Sequence, residues 1–122
     1  MVTIAFHKDM TVPKWAAKPV SWQVLSIASE FGRAEDSLAK GSTEPFKKSL
    51  ERAFELIDLT VEVNRSNFEF VRELLRFREV LAGIYADPEP TARFNEMRIL
   101  SRTLLTLDPE AYNLLGSNSA RS

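Results

Sequence analysis

The sequence contains no cysteine and one histidine, His7. Without thiols there is no disulfide framework, no cysteine nucleophile and no thiolate metal site, and one imidazole excludes a multi-histidine metal site. A nucleophilic triad needs a base, usually histidine. His7 precedes the helical segments and reads as a surface or tag-like residue. Four glycines leave no phosphate-cradling loop, Walker pattern or dinucleotide fingerprint. No apolar run reaches the ~18–20 residues that span a bilayer. Met1 to Phe6 lacks a cationic start and a long apolar stretch. The expectation is a cytoplasmic chain with no membrane role and no cofactor; absent cysteine fits a reducing compartment. Sixteen Lys and Arg against seventeen Asp and Glu leave a net charge of −1, which excludes a bulk polyelectrolyte but not local patches.

What is present is helical periodicity in one domain of 122 residues. Residues 1–20 differ from the rest. Val2, Ile4 and Phe6 alternate with Thr3, Ala5 and His7, a strand-like period, and Pro13 and Pro19 break regularity. This predicts an extended N-terminal arm carrying Trp15, packed on its own bundle or reaching to a neighbouring subunit. The first predicted helix covers 21–40. Ser21 is its cap, Gly41 its stop, and Val24, Ile27, Phe31, Ala34 and Leu38 its apolar face. The second covers 45–64, burying Phe46, Leu50, Ala53, Phe54, Ile57 and Val61. The third covers 67–86, opened by a Ser66/Glu69 capping box. Its two stripes, Phe70-Leu74-Phe77-Leu81-Ile84 and Phe68-Val71-Leu75-Ala82-Tyr85, merge into an apolar arc of roughly 240°. Such a helix is packed on two sides, either centrally in the monomer or with one side on a partner. After the Asp87-Pro88-Glu89-Pro90 break, where Asp87 or Thr91 caps the restart, a fourth helix buries Phe94, Met97, Leu100, Leu104 and Leu105. A short fifth helix from Asp108 holds Tyr112, Leu114 and Leu115 and ends at Gly116; residues 117–122 form a disordered tail. The predicted fold is all-α: an up-down four-helix bundle over 21–116 with an extended arm and a short C-terminal helix.

Two charges fall on apolar faces. Glu35 projects about 20° from Val24 on the first helix, and Arg78 projects between Tyr85 and Val71 on the third. An unpaired buried charge is costly, so each needs a partner or a route to water. In an up-down bundle the first and third helices run parallel, and the two heights match within about one turn. Ala28, Gly32 and Ala39 flank Glu35 with small side chains. The spacing predicts a Glu35–Arg78 ion pair at this helix contact, within one chain or between subunits. The pair fixes packing and register, or Arg78 instead snorkels to the rim, or Glu35 orients Arg78 toward an anion or RNA phosphate in a groove beside Tyr85.

Glu51, Glu55, Asp58 and Glu62 repeat on the second helix opposite its apolar stripe, which reads as a solvated acidic face and no metal site. A bundle di-iron site needs Glu-x-x-His repeats, and none exists. Arg72 and Arg76, and Arg98 and Arg102, share helix faces at i,i+4 spacing. They are candidate anion or RNA contacts, with intrahelical pairing to Glu69, Glu73, Glu79 and Glu96 as the alternative.

Ser21 to Leu107 resembles the small four-helix bundles encoded beside minimal nucleotidyltransferases, of the HEPN class. The likeness rests on helix order and length and on stretches such as Ser49-Leu50-Glu51-Arg52-Ala53-Phe54-Glu55-Leu56. It implies a homodimer. Nuclease members carry an arginine and a histidine separated by four to six residues; after Arg78 those places hold Gly83, Ile84 and Tyr85. The resemblance therefore implies a non-nuclease member. The expected function is a non-catalytic, self-associating interaction protein, a homodimer or a binder of another protein. The alternatives are a nucleic-acid-associated or nucleotidyltransferase-partner protein with an Arg-containing groove, RNA being its ligand, and an enzyme with a site around Glu35 and Arg78.

Overall fold

The structure is a computed structural model that describes residues 5–111 and 113. Its elements are α1 (Val12–Ala16), α2 (Val20–Ala39), α3 (Thr43–Val63), α4 (Phe68–Ala86), a 3-10 turn at Pro90–Arg93 and α5 (Phe94–Leu105). The chain is all-α, and the described residues contain no strand. None of these helices is long and apolar enough to cross a membrane.

The helix ends follow local chemistry. Gly41, at φ 71°, ends α2. Its N–H donates to Leu38 O and that of Ser42 to Ser37 O, which satisfies two orphan carbonyls of the last turn. Pro45 sits in the first turn of α3, where a missing N–H costs nothing. Two predicted caps move: α2 begins after Pro19 with Ser21 inside its first turn, and Asn67, not Ser66, caps α4 by accepting from Phe70 N–H.

The N-terminal arm is not extended where the structure describes it. Residues 12–16 form α1, capped by Thr11, because the fixed φ of Pro13 suits a first helical turn. Trp15 is buried in the chain's own core. Its indole N–H donates to Thr60 Oγ1 at 3.0 Å, and Gln23 Nε2 donates to its carbonyl at 3.0 Å. The alternation at Val2 and Ile4 lies outside the described residues. Residues 109–111 are helical, with Ala111 N–H donating to Asp108 Oδ2; Tyr112, Leu114, Leu115, Gly116 and the tail lie outside the described residues.

The core matches most of the predicted stripes, though Phe94 and Leu105 of α5 are only partly buried. Val24, Ile27, Phe31, Ala34 and Leu38 of α2 are buried, as are Phe70, Leu74, Phe77, Leu81 and Ile84 of α4, and Met97, Leu100 and Leu104 of α5. Phe54 and Val61 of α3 are only partly buried, while Leu56 and Leu59 are buried. Packing is uneven: α2 lies chiefly on α3 and next on α5, and α4 lies on α3 and more lightly on α5. The contact between α2 and α4 is marginal at most. The second stripe of α4 is consequently only partly covered: Phe68 is 77% and Leu75 47% exposed, while Val71 and Tyr85 are half-buried.

Two glycine substitutions should move stability in opposite directions. Gly41→Ala places a side chain at positive φ and should cost about 1 kcal/mol. Gly32→Ala lies mid-helix, where a Cβ meets nothing within 4 Å, and should gain about 0.5–1 kcal/mol. Urea midpoints shifting in the same direction would contradict these backbone assignments.

Candidate functional site

The most deeply placed charges are Glu30 on α2 and Glu55 on α3, both buried. A buried carboxylate needs donors. Glu55 finds them in the segment ahead of α1. Its Oε2 accepts the N–H groups of Ala5 at 3.0 Å and Phe6 at 2.8 Å, and its Oε1 accepts the N–H of His7 at 2.9 Å. His7 Nδ1 lies 3.1 Å from the same Oε1, while its Nε2 lies 4.0 Å from Glu30 Oε1. Arg33 Nη1 donates to Glu30 Oε1 at 2.7 Å and Arg52 Nε to Glu30 Oε2 at 3.0 Å. Burial pushes the Glu55 carboxyl up, but the backbone donors Phe6, His7 and Ala5 and the His7 ring together hold it below its ordinary value. His7 is therefore no loose surface residue: it is tied to Glu55 through its N–H and its ring. The acidic face of α3 is not fully solvated either, since Glu55 is its most buried member.

Beside this latch runs a groove of about 440 Å³ between α3 and α4, with Ala5 and Phe6 on its rim. The sequence-predicted Arg78 and Tyr85 both line it. Arg78 does not pair with Glu35. Its Nε donates to Asp58 Oδ1 at 2.7 Å and its Nη2 to Asp58 Oδ2 at 3.2 Å, a two-pronged pair across α3 and α4. That hydrogen bond raises the Arg78 pKa against its burial. The guanidinium also lies 5.1 Å from the Phe54 ring centroid, a cation–π arrangement. Tyr85 Oη donates to Glu51 Oε2 at 2.7 Å, which raises the phenol pKa, and its ring meets Phe54 edge-on at 5.8 Å. Both partners come from the stripe read as solvated. Arg78 and Asp58 are each 39% exposed.

Glu35 lies elsewhere, between α2 and α5, in a groove shared with Arg98, Ser101 and Arg102. The predicted Glu35–Arg78 contact fails for a simple reason: α2 and α4 are not packed neighbours, and Asp58 stands one helix closer to Arg78. Glu35 therefore does not complete a site with Arg78 and Tyr85. The four arginines do not form one track. Arg72 is exposed on the outer face of α4; Arg76 donates to Glu73 and borders a third, apolar groove with Val80 and Ile99. Among the described residues no cluster of three or more metal-ligating side chains occurs.

The residues missed by sequence reasoning are Glu30, Glu51, Glu55, Asp58 and His7. One signal existed. Glu30 follows Ile27 by three and precedes Ala34 by four, which puts it beside the apolar face of α2.

These shifts fix the acid dependence of stability. The folded pKa of Glu55 is lowered, so its contribution is present above the ordinary value of 4.5 and lost as pH falls through the folded value. Burial raises the folded pKa of Glu35, so its charge weakens the native state above that value and protonation relieves it as pH falls. Glu55→Gln should cost about 2–3 kcal/mol at pH 7, the loss of charge-assisted hydrogen bonds. Glu35→Gln should cost nothing measurable. Arg78→Met should cost about 1 kcal/mol or less, as for a half-exposed pair. Equal urea midpoints for Glu55→Gln and wild type would refute the latch. No protein-family model matches the chain, and neither a curated protein nor a solved structure is significantly similar to it.

Proposed function

We propose that this chain is a non-catalytic interaction module that self-associates through α4. The observation that carries the reading is the partly uncovered second stripe of that helix. Phe68, Leu75 and Ala82 recur every seven residues and are exposed. Val71, Arg78 and Tyr85 follow each by three and are half-buried, with Arg78 and Tyr85 bonded to Asp58 and Glu51 of α3. This is the a/d spacing of a two-helix seam. An arginine in such a seam is costly unless neutralised, and Asp58 neutralises it within the chain.

The occupant that fits is a second copy, running antiparallel. Reversing α4 about the point between Arg76 and Phe77 sets Leu75 against Arg78 and Phe68 against Tyr85. The same operation brings the exposed Arg72 beside Glu79 of the partner subunit, and Glu79 beside the partner's Arg72. Such a two-fold contact is self-complementary in shape and charge. The helix spans about 28 Å, long enough for a specific seam. Under this reading the four long helices are an up-down bundle, with the α1 segment sealing the α3 side and α4 left for the partner. The resemblance to HEPN-class bundles, commonly homodimers, supports the same association, and the cysteine-free sequence fits a cytoplasmic setting.

Sedimentation equilibrium tests the reading. The wild type should behave as a concentration-dependent dimer and Leu75→Glu as a monomer with its helical content kept. Glu79→Arg should weaken the dimer, and Arg72→Glu combined with Glu79→Arg should restore it. A wild-type chain that stays monomeric at high concentration would refute the proposal.

A further inference from the structure

The α3/α4 groove lies beside the α4 seam and holds about 440 Å³. Its polar groups are already matched. Arg78 is bonded to Asp58, Tyr85 to Glu51, and Glu55 to the backbone of the N-terminal segment. A groove whose charges are compensated from within offers little to an ion. What it presents besides is carbon: the partly buried Phe54 ring, the exposed Ala82 methyl, and Phe6 on the opposite rim. Phe6 is 43% exposed. The latch uses only its N–H, which donates to Glu55 Oε2 at 2.8 Å. The ring plays no part in that bond, yet the bond pins the ring where it is.

We infer that Phe6 belongs to the self-association surface, which rests on the α4 seam proposed above: it is the far wall of a slot that receives the partner subunit's Leu75. In the antiparallel register Leu75 stands opposite Arg78. A helical side chain leans toward the N-terminus of its own helix. For an antiparallel partner that direction runs from Arg78 toward Ala82, over Phe54 and into the groove. A leucine resting on Arg78 alone would strip water from an ion pair for little return. Leaning into the slot, it buries carbon against Phe54, Ala82 and Phe6. The small side chain of Ala82 leaves the entrance clear. A two-fold axis repeats the contact, so each dimer has two such slots. The latch and the dimer are thereby linked. Glu55 holds one wall of the slot, and the occupant of the slot holds the latch closed. Such a coupling acts equally in both directions.

Sedimentation equilibrium of Phe6→Ser beside the wild type tests the role of Phe6. The substitution keeps the N–H that Glu55 accepts and removes the ring. The dimer dissociation constant should rise at least about tenfold, since symmetry counts each lost contact twice. Ile99→Ser removes an apolar side chain that is 64% exposed on α5 and should leave the constant unchanged. In the wild type, the Phe6 and His7 amides should exchange with solvent more slowly as chain concentration is raised through the dissociation constant at fixed pH. A wild-type chain that never dimerises refutes the α4 seam, and the slot with it. A wild-type dimer whose dissociation constant is unmoved by Phe6→Ser, or whose Phe6 and His7 amides exchange at one rate at every concentration, overturns the role of Phe6 and leaves the α4 seam standing. An equal rise in Ile99→Ser would also overturn it.

Discussion

The carboxylate of Glu55 closes on the backbone of Ala5, Phe6 and His7, and much of the molecule's asymmetry follows from that contact. A charge buried on α3 cannot stay unpaired. Three peptide N–H groups and one imidazole supply its donors from a segment that otherwise has little to hold it. The same imidazole reaches toward Glu30, which Arg33 and Arg52 neutralise. Each of the two acids thereby has donors of its own, with the His7 ring lying between them. Removing the donors of a buried carboxylate leaves its charge uncompensated. The segment is also fixed at its other end, where Trp15 enters the core and bonds Thr60.

Because the N-terminal segment lies on α3, that helix is covered by α1, α2 and α4. The α4 helix receives no equivalent cover. Its first stripe enters the core, and its second ends at the rim of the α3/α4 groove. There Arg78 and Tyr85 are tied down by Asp58 and Glu51 while Phe68 and Leu75 face outward. Single exposed apolar residues are ordinary; the seven-residue spacing of Phe68 and Leu75 is what the proposed seam rests on. The polar groove and the apolar ridge are two consequences of the same uneven covering.

The buried stripes were legible in the sequence because periodicity reports which residues face a core. All five α2 positions and all five of the first α4 stripe are where spacing put them. The breadth of the α4 arc was visible as well, but the packing on two sides read from it is not present within the chain, where Phe68 and Leu75 are exposed. Charges were harder. Glu30 and Glu35 lie on opposite flanks of the α2 face, about 80° and about 60° from its centre. Nothing local distinguishes them. Their fates differ because α3, with its 21 residues, covers the Glu30 flank, while the 12-residue α5 leaves the Glu35 flank partly open. Arg78 was correctly singled out as a charge in need of a partner. The partner was misassigned because facing helices were taken from bundle topology, whereas Asp58 on the adjacent α3 is within reach. The burial of Glu55 had no signal in its own helix, since its donors are backbone groups some fifty residues away.

The claim that Glu55 holds the N-terminal segment is most directly tested by acid titration of the wild-type chain followed by NMR. The Glu55 carboxyl carbon and the amide protons of Phe6 and His7 should titrate together, with one midpoint below 4.5. Loss of the carboxylate removes the acceptor those amides share. A Glu55 midpoint at the ordinary value, with the Phe6 and His7 amides indifferent to it, would contradict the account.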